Sequence, residues 1–288
     1  MARLGENRYG KAEVRVVRVI RGGAPDGGDV IRDRNVSTSL SGDLAATHLR
    51  GDNANVLATD TQKNVVNVLA ARLGDGEPEE LAVELARHFV TGPVTRARVA
   101  VEEYPWARIG DHQHSFARCG DAVRTTTAVH DAGLGTYVVS GVRGLVVLNS
   151  TNSEFWGFVR DRYTTLAETT DRILATEVNA EWRYRSASVD WGGAYALARQ
   201  KLLDGFAGTY SYSLQQTLFA MGSDVIEAVP DICEVRLSLP NRHHFLVDLA
   251  PFGLPNKDEV YYAADRPYGL IEGTVLADDA PDAGPAWS

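Results

Sequence analysis

Cysteine is scarce. Only Cys119 and Cys233 occur among 288 residues, and neither belongs to a CxxC pair. That excludes a disulfide framework and fits a reducing compartment, with both thiols expected as small buried hydrophobes. Positive charge is also short: 29 Lys and Arg against 38 Asp and Glu leave a formal net charge of -9. Nucleic-acid partners need clustered cations to displace phosphate counterions, so such a partner is disfavoured, and an anionic small ligand would need a local cationic pocket. No apolar run approaches the ~18 residues of a transmembrane helix. MARLGENRYGKAEVRV meets charge at once, so neither a signal peptide nor a membrane anchor is expected. The peroxisomal ending SKL is absent, and the expected compartment is the cytoplasm. GGAPDGG lacks the Lys-Ser/Thr ending of a phosphate loop and reads as a hairpin tip.

What is present is ordinary for a globular chain: 44% hydrophobic and 23% charged residues exclude collagen-like repeats and wholesale disorder. The length suggests two domains sharing a buried core. KAEVRVVRVIR (11–21) sets β-branched residues at near-alternate positions, and IRDRNVSTSL (31–40) returns after the glycine-rich tip, predicting a long β-hairpin. ATDTQKNVVNVLAARL predicts a helix to about Leu73, capped by Thr59 or Asp60. A second helix is expected over 77–89, where Leu81, Leu85 and Phe89 make one apolar stripe. Strands are expected over 94–108 and 116–129.

From Gly135 the order begins again. A strand in TYVVSGVRGLVVLNS is followed by a loop with a short helix, then a strand in RILATEVNAEWRYR. Paired helices in WGGAYALARQKLLDGF and SLQQTLFAMGSDVIEAV precede closing strands in DICEVRLSLPNRHHFLV and around Tyr261 to Ile271. Antiparallel strands interrupted by helical pairs, given twice, indicate an α+β class with helices on one face of each sheet. The turn residues of HDAGLG put the boundary at 134/135, giving a first domain 1–134, a second 135–275, and a flexible tail 276–288 rich in Asp, Ala and Pro.

The densest chemistry lies in NSTNSEFWGFVRDRYTTLAETTDR (149–172). Aromatic clusters are usually core, so Phe155, Trp156 and Phe158 read either as a hydrophobic plug or as the wall of a flat-ligand site. In the second case Phe155 stacks on a planar heterocycle, and the Arg172 guanidinium grips a carbonyl and a ring nitrogen. Gln215 offers a donor and an acceptor side by side, as a ureide edge needs, although a Gln near a helix start also serves as a cap. Lys11 at the opening of a strand is commonly solvated, Thr59 and Asp60 commonly cap helices, and Asn241 and His243 in PNRHH commonly sit at a surface. His112-Gln113-His114 on a strand would put two imidazoles on one face for zinc or copper, but no third convergent ligand is evident, and the alternative is a polar strand pair or loop.

Taken together, Tyr9-Gly10-Lys11, ATDTQKN (58–64), STNSEFWGFVRDRYTTLAETTDRI (150–173), YSYSLQQTL (210–218) and PNRH (240–243) resemble, in order, the recurring signatures of the urate oxidase family, bacterial type. The resemblance runs from Tyr9 to about Leu249. It implies two tandem tunnelling-fold (T-fold) domains, antiparallel sheets with paired helices on one face, assembling as a homotetrameric barrel around a central channel. It also implies oxidation of urate by dioxygen and water to 5-hydroxyisourate and hydrogen peroxide, with no cofactor and no metal. By the match of motifs, Phe155 stacks on the purine, Arg172 and Gln215 hold its edges, and the Leu214 backbone N–H adds a bond. Asn241 holds dioxygen and later water. From the neighbouring subunit come Lys11 and Thr59 as the proton-handling pair, with Asp60 contacting the ring through its backbone; His243 completes the relay to Lys11. The catalytic residues so implied are Lys11, Thr59 and His243, while Trp156, Phe158 and Tyr163 are scaffold that locks Phe155 and Arg172.

Two positions depart from the family's pattern: Tyr212 stands where proline is frequent and Leu214 where valine is frequent, and a narrower pocket wall is the expected consequence. The alternative readings are a purine- or pterin-binding relative that does not oxidise urate, and a cyclohydrolase-like enzyme. The latter generally uses Cys and His zinc ligands with an acidic anchor for the pterin.

Overall fold

The alternating N-terminal segment forms β1 (Val14–Ile20), paired antiparallel with β2 (Val30–Gly42) across the glycine-rich tip. These coordinates are a computed structural model that describes residues 2–264 and 266–288; Met1, and Asp265 within the expected closing strand, lie outside the described residues. A short helix α1 (Ala45–Arg50) buries none of its residues, which is why no apolar stripe announces it in the sequence. Next come α2 (Thr59–Arg72) and α3 (Pro78–Phe89). Leu81, Leu85 and Phe89 are fully buried, as their spacing predicts. Glu77 and Glu80 close a reciprocal capping box at the start of α3. α2 has no such cap: the residue before it is Ala58, and Thr59 is its first helical residue, so the expected capping role of Thr59 or Asp60 is not realised.

The chain continues through β3 (Val94–Tyr104), β4 (Trp106–Arg108), β5 (Phe116–Arg118) and β6 (Val123–Asp131), then β7 (Gly135–Asn149) and β8 (Leu174–Tyr184). His112-Gln113-His114 falls in the turn joining β4 to β5, not on a strand. Residues 150–173 contain no helix, against expectation. Thr151, Asp161, Thr164, Thr169 and Asp171 spend their side chains on nearby backbone and on each other, which competes with helical bonding. α4 (Trp191–Gly208) and α5 (Leu214–Ala228) follow, and β9 (Ile232–Pro240), β10 (His243–Leu246), β11 (Tyr261–Ala264) and β12 (Leu270–Leu276) close the chain.

Eight strands form one antiparallel sheet in the order β1-β2-β3-β6-β7-β8-β9-β12. One face carries Val36, Leu40, Ala97, Val99, Val101, Trp182 and Leu237 into a single core beneath both helix pairs. The other face alternates polar, with Ser39, Arg98, Thr127, Asn179, Glu181 and Arg236. The 134/135 division falls at the β6–β7 turn, and the sheet passes through it. Glu79 of α3, fully buried, ties the halves together: it accepts from Thr126 of β6 and Ser140 of β7 and is ion-paired to Arg124, whose guanidinium lies 4.0 Å from the Tyr195 ring of α4.

Two local expectations change. The 276–288 segment begins within β12 and then packs instead of hanging free: Ala286 is 3% exposed, the Arg183 guanidinium donates to the Pro281 carbonyl at 2.8 Å, and Arg236 stacks 3.8 Å from the Trp287 ring. Composition points to a tail because Asp, Ala and Pro dominate, but one terminal Trp supplies the anchor. Cys233 is buried as expected, whereas Cys119 is exposed.

Candidate active site

A cavity of about 340 Å³ is lined by Phe155, Arg172, Leu214, Gln215, Asn241 and His243 among other residues. Four separate chain segments meet there. The first is held by backbone pairing: Phe155 bridges Thr169, and Ser153 bridges Ser211 just ahead of α5. Glu154 reinforces it by accepting from the Tyr210 hydroxyl and the Trp156 indole N–H, each at 2.5 Å. Phe155 stacks on Phe158 with ring centroids 5.1 Å apart. Trp156 and Tyr163 are exposed in the single chain, so of the expected scaffold aromatics only Phe158 packs on Phe155, while Trp156 acts through its N–H.

Arg172 precedes β8, its guanidinium carbon 5.0 Å from the Phe155 ring centroid and its Nε donating to Ser153 Oγ at 3.3 Å. It is half-buried and, among the described residues, has no carboxylate within ion-pair distance; burial lowers its pKa. A desolvated cation without a counterion is electrostatically unfinished, and an anionic ligand would complete it.

Gln215 is the second residue of α5, and the capping role belongs to its neighbour. Gln216 Oε1 accepts from the Tyr212 N–H, and Ser213 Oγ accepts from the Gln216 N–H. The Gln215 amide is therefore free to face the cavity it lines, beside the first N–H groups of the helix, which have no intrahelical acceptor. Leu214 is only 2% exposed and joins the core, so the extra methylene relative to valine is taken up largely by packing, not by the pocket wall.

Asn241 follows β9, its N–H bonded to the Gly269 carbonyl at 2.8 Å, and His243 opens β10. Burial, then the Arg172 charge, then His244 push the His243 imidazole below its usual pKa, favouring the neutral ring. Among the described residues no Asp or Glu lines this cavity, so none of them supplies the acidic anchor that a pterin would require.

Lys11, Thr59 and Asp60 assemble elsewhere. The Tyr9–Lys11 segment runs beside β2, with the Lys11 N–H on Thr38 Oγ1 at 3.0 Å and the Thr38 N–H on the Lys11 carbonyl at 2.9 Å. The approach is so close that a Cβ at Gly10 would lie 1.8 Å from the Thr38 carbonyl oxygen, which explains glycine between Tyr9 and Lys11. Tyr9 Oη accepts from the Leu57 N–H at 2.8 Å and so draws the entry of α2 toward Lys11. Asp60 is engaged by Lys63 and Asn64, and its pKa is lowered first by the Lys63 hydrogen bond and, among lesser causes, by the Lys11 charge.

The single chain thus brings together Phe155, Arg172, Leu214, Gln215, Asn241 and His243, and separately Lys11, Thr59 and Asp60. β2 and β8 stand four inter-strand steps apart in the sheet, roughly 19 Å at about 4.8 Å per step. Sequence reasoning missed Ser153 and Glu154; the signal available was their polar character on either side of a turn that must hold Phe155. Larger cavities of about 740 and 930 Å³ lie elsewhere, but most of their arginines already face carboxylates, as in Arg32–Asp75, Arg124–Glu79, Arg108–Asp26 and Arg96–Asp131.

The Uricase family profile matches residues 7–129 and 138–272. A uricase of Arthrobacter globiformis is 52% identical over 287 residues, covering 99% of this chain and 93% of that protein. A uricase of Dictyostelium discoideum is 40% identical over 283 residues, covering 96% and 98%. The crystal structure of the Arthrobacter globiformis enzyme superposes with a TM-score of 0.94 at 51% identity, covering 100% of this chain and 99% of that one. The urate oxidase of Bacillus sp. TB-90, at 24% identity and a TM-score of 0.81 over 94% of this chain and 100% of that one, shares the fold. The architecture is accordingly a T-fold-like α+β arrangement of antiparallel sheet and helix pairs, and the chain belongs to the uricase (urate oxidase) family.

Proposed function

We propose that urate binds in the Phe155–Arg172–Gln215 cavity and that a second copy of the chain closes it with Lys11, Thr59 and Asp60. The activity is that of a urate oxidase: urate, dioxygen and water become 5-hydroxyisourate and hydrogen peroxide. Urate itself supplies both electrons, so the balance calls for no other redox partner. The observation that carries the reading is Arg172, a half-buried cation beside the Phe155 ring with no counterion among the described residues.

In this reading Phe155 stacks on the purine, Arg172 and Gln215 hold a carbonyl and ring nitrogens at opposite edges, and the Leu214 N–H adds a bond. Lys11 draws a proton from urate through Thr59, and neutral His243 carries the relay on. Deprotonation raises the energy of the purine electrons until transfer to dioxygen becomes favourable. Arg172 stabilises the anion so formed. Asn241 holds dioxygen, then the water that adds to the oxidised ring, while Asp60 meets the purine through its backbone.

A closed homotetrameric barrel is supported by two features. β1 and β12 are open sheet edges, and they carry exposed Val17, Leu270 and Leu276. On the loop that carries Phe155, Trp156, Val159 and Tyr163 are exposed, with Val159 at 96%, and so is Phe245 at the cavity wall, apolar surface of the kind that interfaces cover.

Mixing supplies the test. Lys11→Ala and Arg172→Gln chains, each impaired alone, are co-expressed and followed by loss of the urate ultraviolet band, oxygen uptake and peroxide, with chelator present. Hybrid oligomers place both substitutions in some sites and neither in others, so activity above that of either parent is expected. Hybrids no more active than the parents would sink the shared site.

A further inference from the structure

Gln62 is 0% exposed in α2, on the buried stripe whose other members are Val66 and Ala70. Stability alone favours an apolar side chain there, because a buried amide contributes nothing by desolvation and must be compensated by hydrogen bonds. Its bonds are specific. Gln62 Oε1 accepts from Thr38 Oγ1 at 2.7 Å, and Gln62 Nε2 donates to the Leu57 carbonyl at 3.1 Å. Thr38 Oγ1 in turn accepts from the Lys11 N–H at 3.0 Å.

The chain of contacts therefore runs from the backbone of Lys11, through Thr38 and Gln62, to Leu57, two residues ahead of Thr59. Leu57 is gripped from both sides: its carbonyl through Gln62, and its N–H by Tyr9 Oη at 2.8 Å. α2 lacks a side-chain cap of its own, so these bonds hold its entry.

We propose that Gln62, acting with Thr38, is a positioning residue that sets the spacing between Lys11 and Thr59. The proposal rests on the reading of those two residues as the proton-handling pair. Gln62 touches no substrate; it acts by keeping the Tyr9–Lys11 segment beside β2 in register with the first turn of α2. Proton transfer is steep in distance, and a displacement on the order of 1 Å costs up to about 100-fold in rate. Most purine contacts in that reading lie on Phe155, Arg172 and Gln215, about four strands away in the sheet, so binding is expected to change far less than the rate.

The experiment compares wild type, Gln62→Met, Lys11→Ala and the double variant with urate as substrate and a non-oxidisable purine as competitive inhibitor. Gln62→Met preserves length and helix propensity while removing both hydrogen bonds. Its kcat is expected to fall about 10- to 100-fold, with KM for urate and inhibitor affinity within about twofold. Added to Lys11→Ala, it is expected to cause no further fall, because both changes disable the same step. A kcat equal to wild type overturns the proposal, and so does a double variant whose loss is the product of the singles. Should Gln62→Met fail to fold, Thr38→Val cuts the same relay at its middle, and an unaltered kcat there is equally fatal. Full turnover in Lys11→Ala would instead overturn the underlying assignment of Lys11.

Discussion

The two half-sites of this chain differ in how complete they are. Around Phe155 the cavity presents groups with bonds left to make: the Arg172 cation, the Gln215 amide and the first N–H groups of α5. Around Lys11 the backbone is tightly engaged, pinned by Thr38, Gln62 and Tyr9, and Asp60 is held by Lys63 and Asn64. In the proposed reading, one half receives the planar anion and the other brings the proton carrier. The difference teaches that, in that reading, most binding groups and the lysine sit on separate stretches of one sheet, with His243 and Asp60 crossing the division.

That contrast yields ordered expectations. The largest effect belongs to Lys11: Lys11→Ala should lower kcat by roughly the 10²–10⁴ typical of removing a general base, with KM for urate little changed, as read in steady-state kinetics. A rise in KM with normal kcat would break the contrast by making Lys11 a binding residue. Arg172→Gln should follow, since a hydrogen bond to a charged group is worth about 1.5–3 kcal/mol, or about 10- to 150-fold in kcat/KM. The loss should include weaker affinity for an unreactive purine, measured by inhibition; unchanged affinity would remove Arg172 from the binding half.

The smallest effect concerns pH. His243 is held below the ordinary imidazole value of about 6.5, chiefly by burial and then by Arg172 and His244. An acid limb in kcat/KM that requires neutral His243 should therefore lie below that value. In Arg172→Gln the limb should move up, but not fully to the ordinary value, because burial, the larger cause, remains. An unmoved limb, or one that survives His243→Gln, would assign it to another group. Stability carries the same sign: between the depressed value and about 6.5 the unfolded chain binds more protons than the native one, so His243 makes stability rise with pH across that window.

Much of the fold is legible because its cause is local. Leu81, Leu85 and Phe89 repeat with helical period and are all buried, and the alternation of Val14 to Ile20 forms a strand. The candidate site is legible mainly through motif resemblance, since Phe155 with Arg172, Gln215 and His243 come from three distant segments that no periodicity connects. The missing helix in 150–173, the packing of Trp287 and the uncapped start of α2 escaped because each depends on side-chain hydrogen bonds or long-range packing that compete with local preference.

By itself the sequence determined the long strands, the two helix pairs, the α+β class and the family, since these follow from hydrophobic period, turn chemistry and ordered motifs. Which polar groups stay unpaired was decided only by tertiary structure. Arg124 and Arg172 are the same residue type, each on or beside a strand of the same sheet. Arg124 meets Glu77, the cap of α3, and Glu79 within it, more than forty positions earlier, while Arg172 meets no carboxylate among the described residues. Pairing is a property of chain segments brought together by folding, and residue type alone does not decide it.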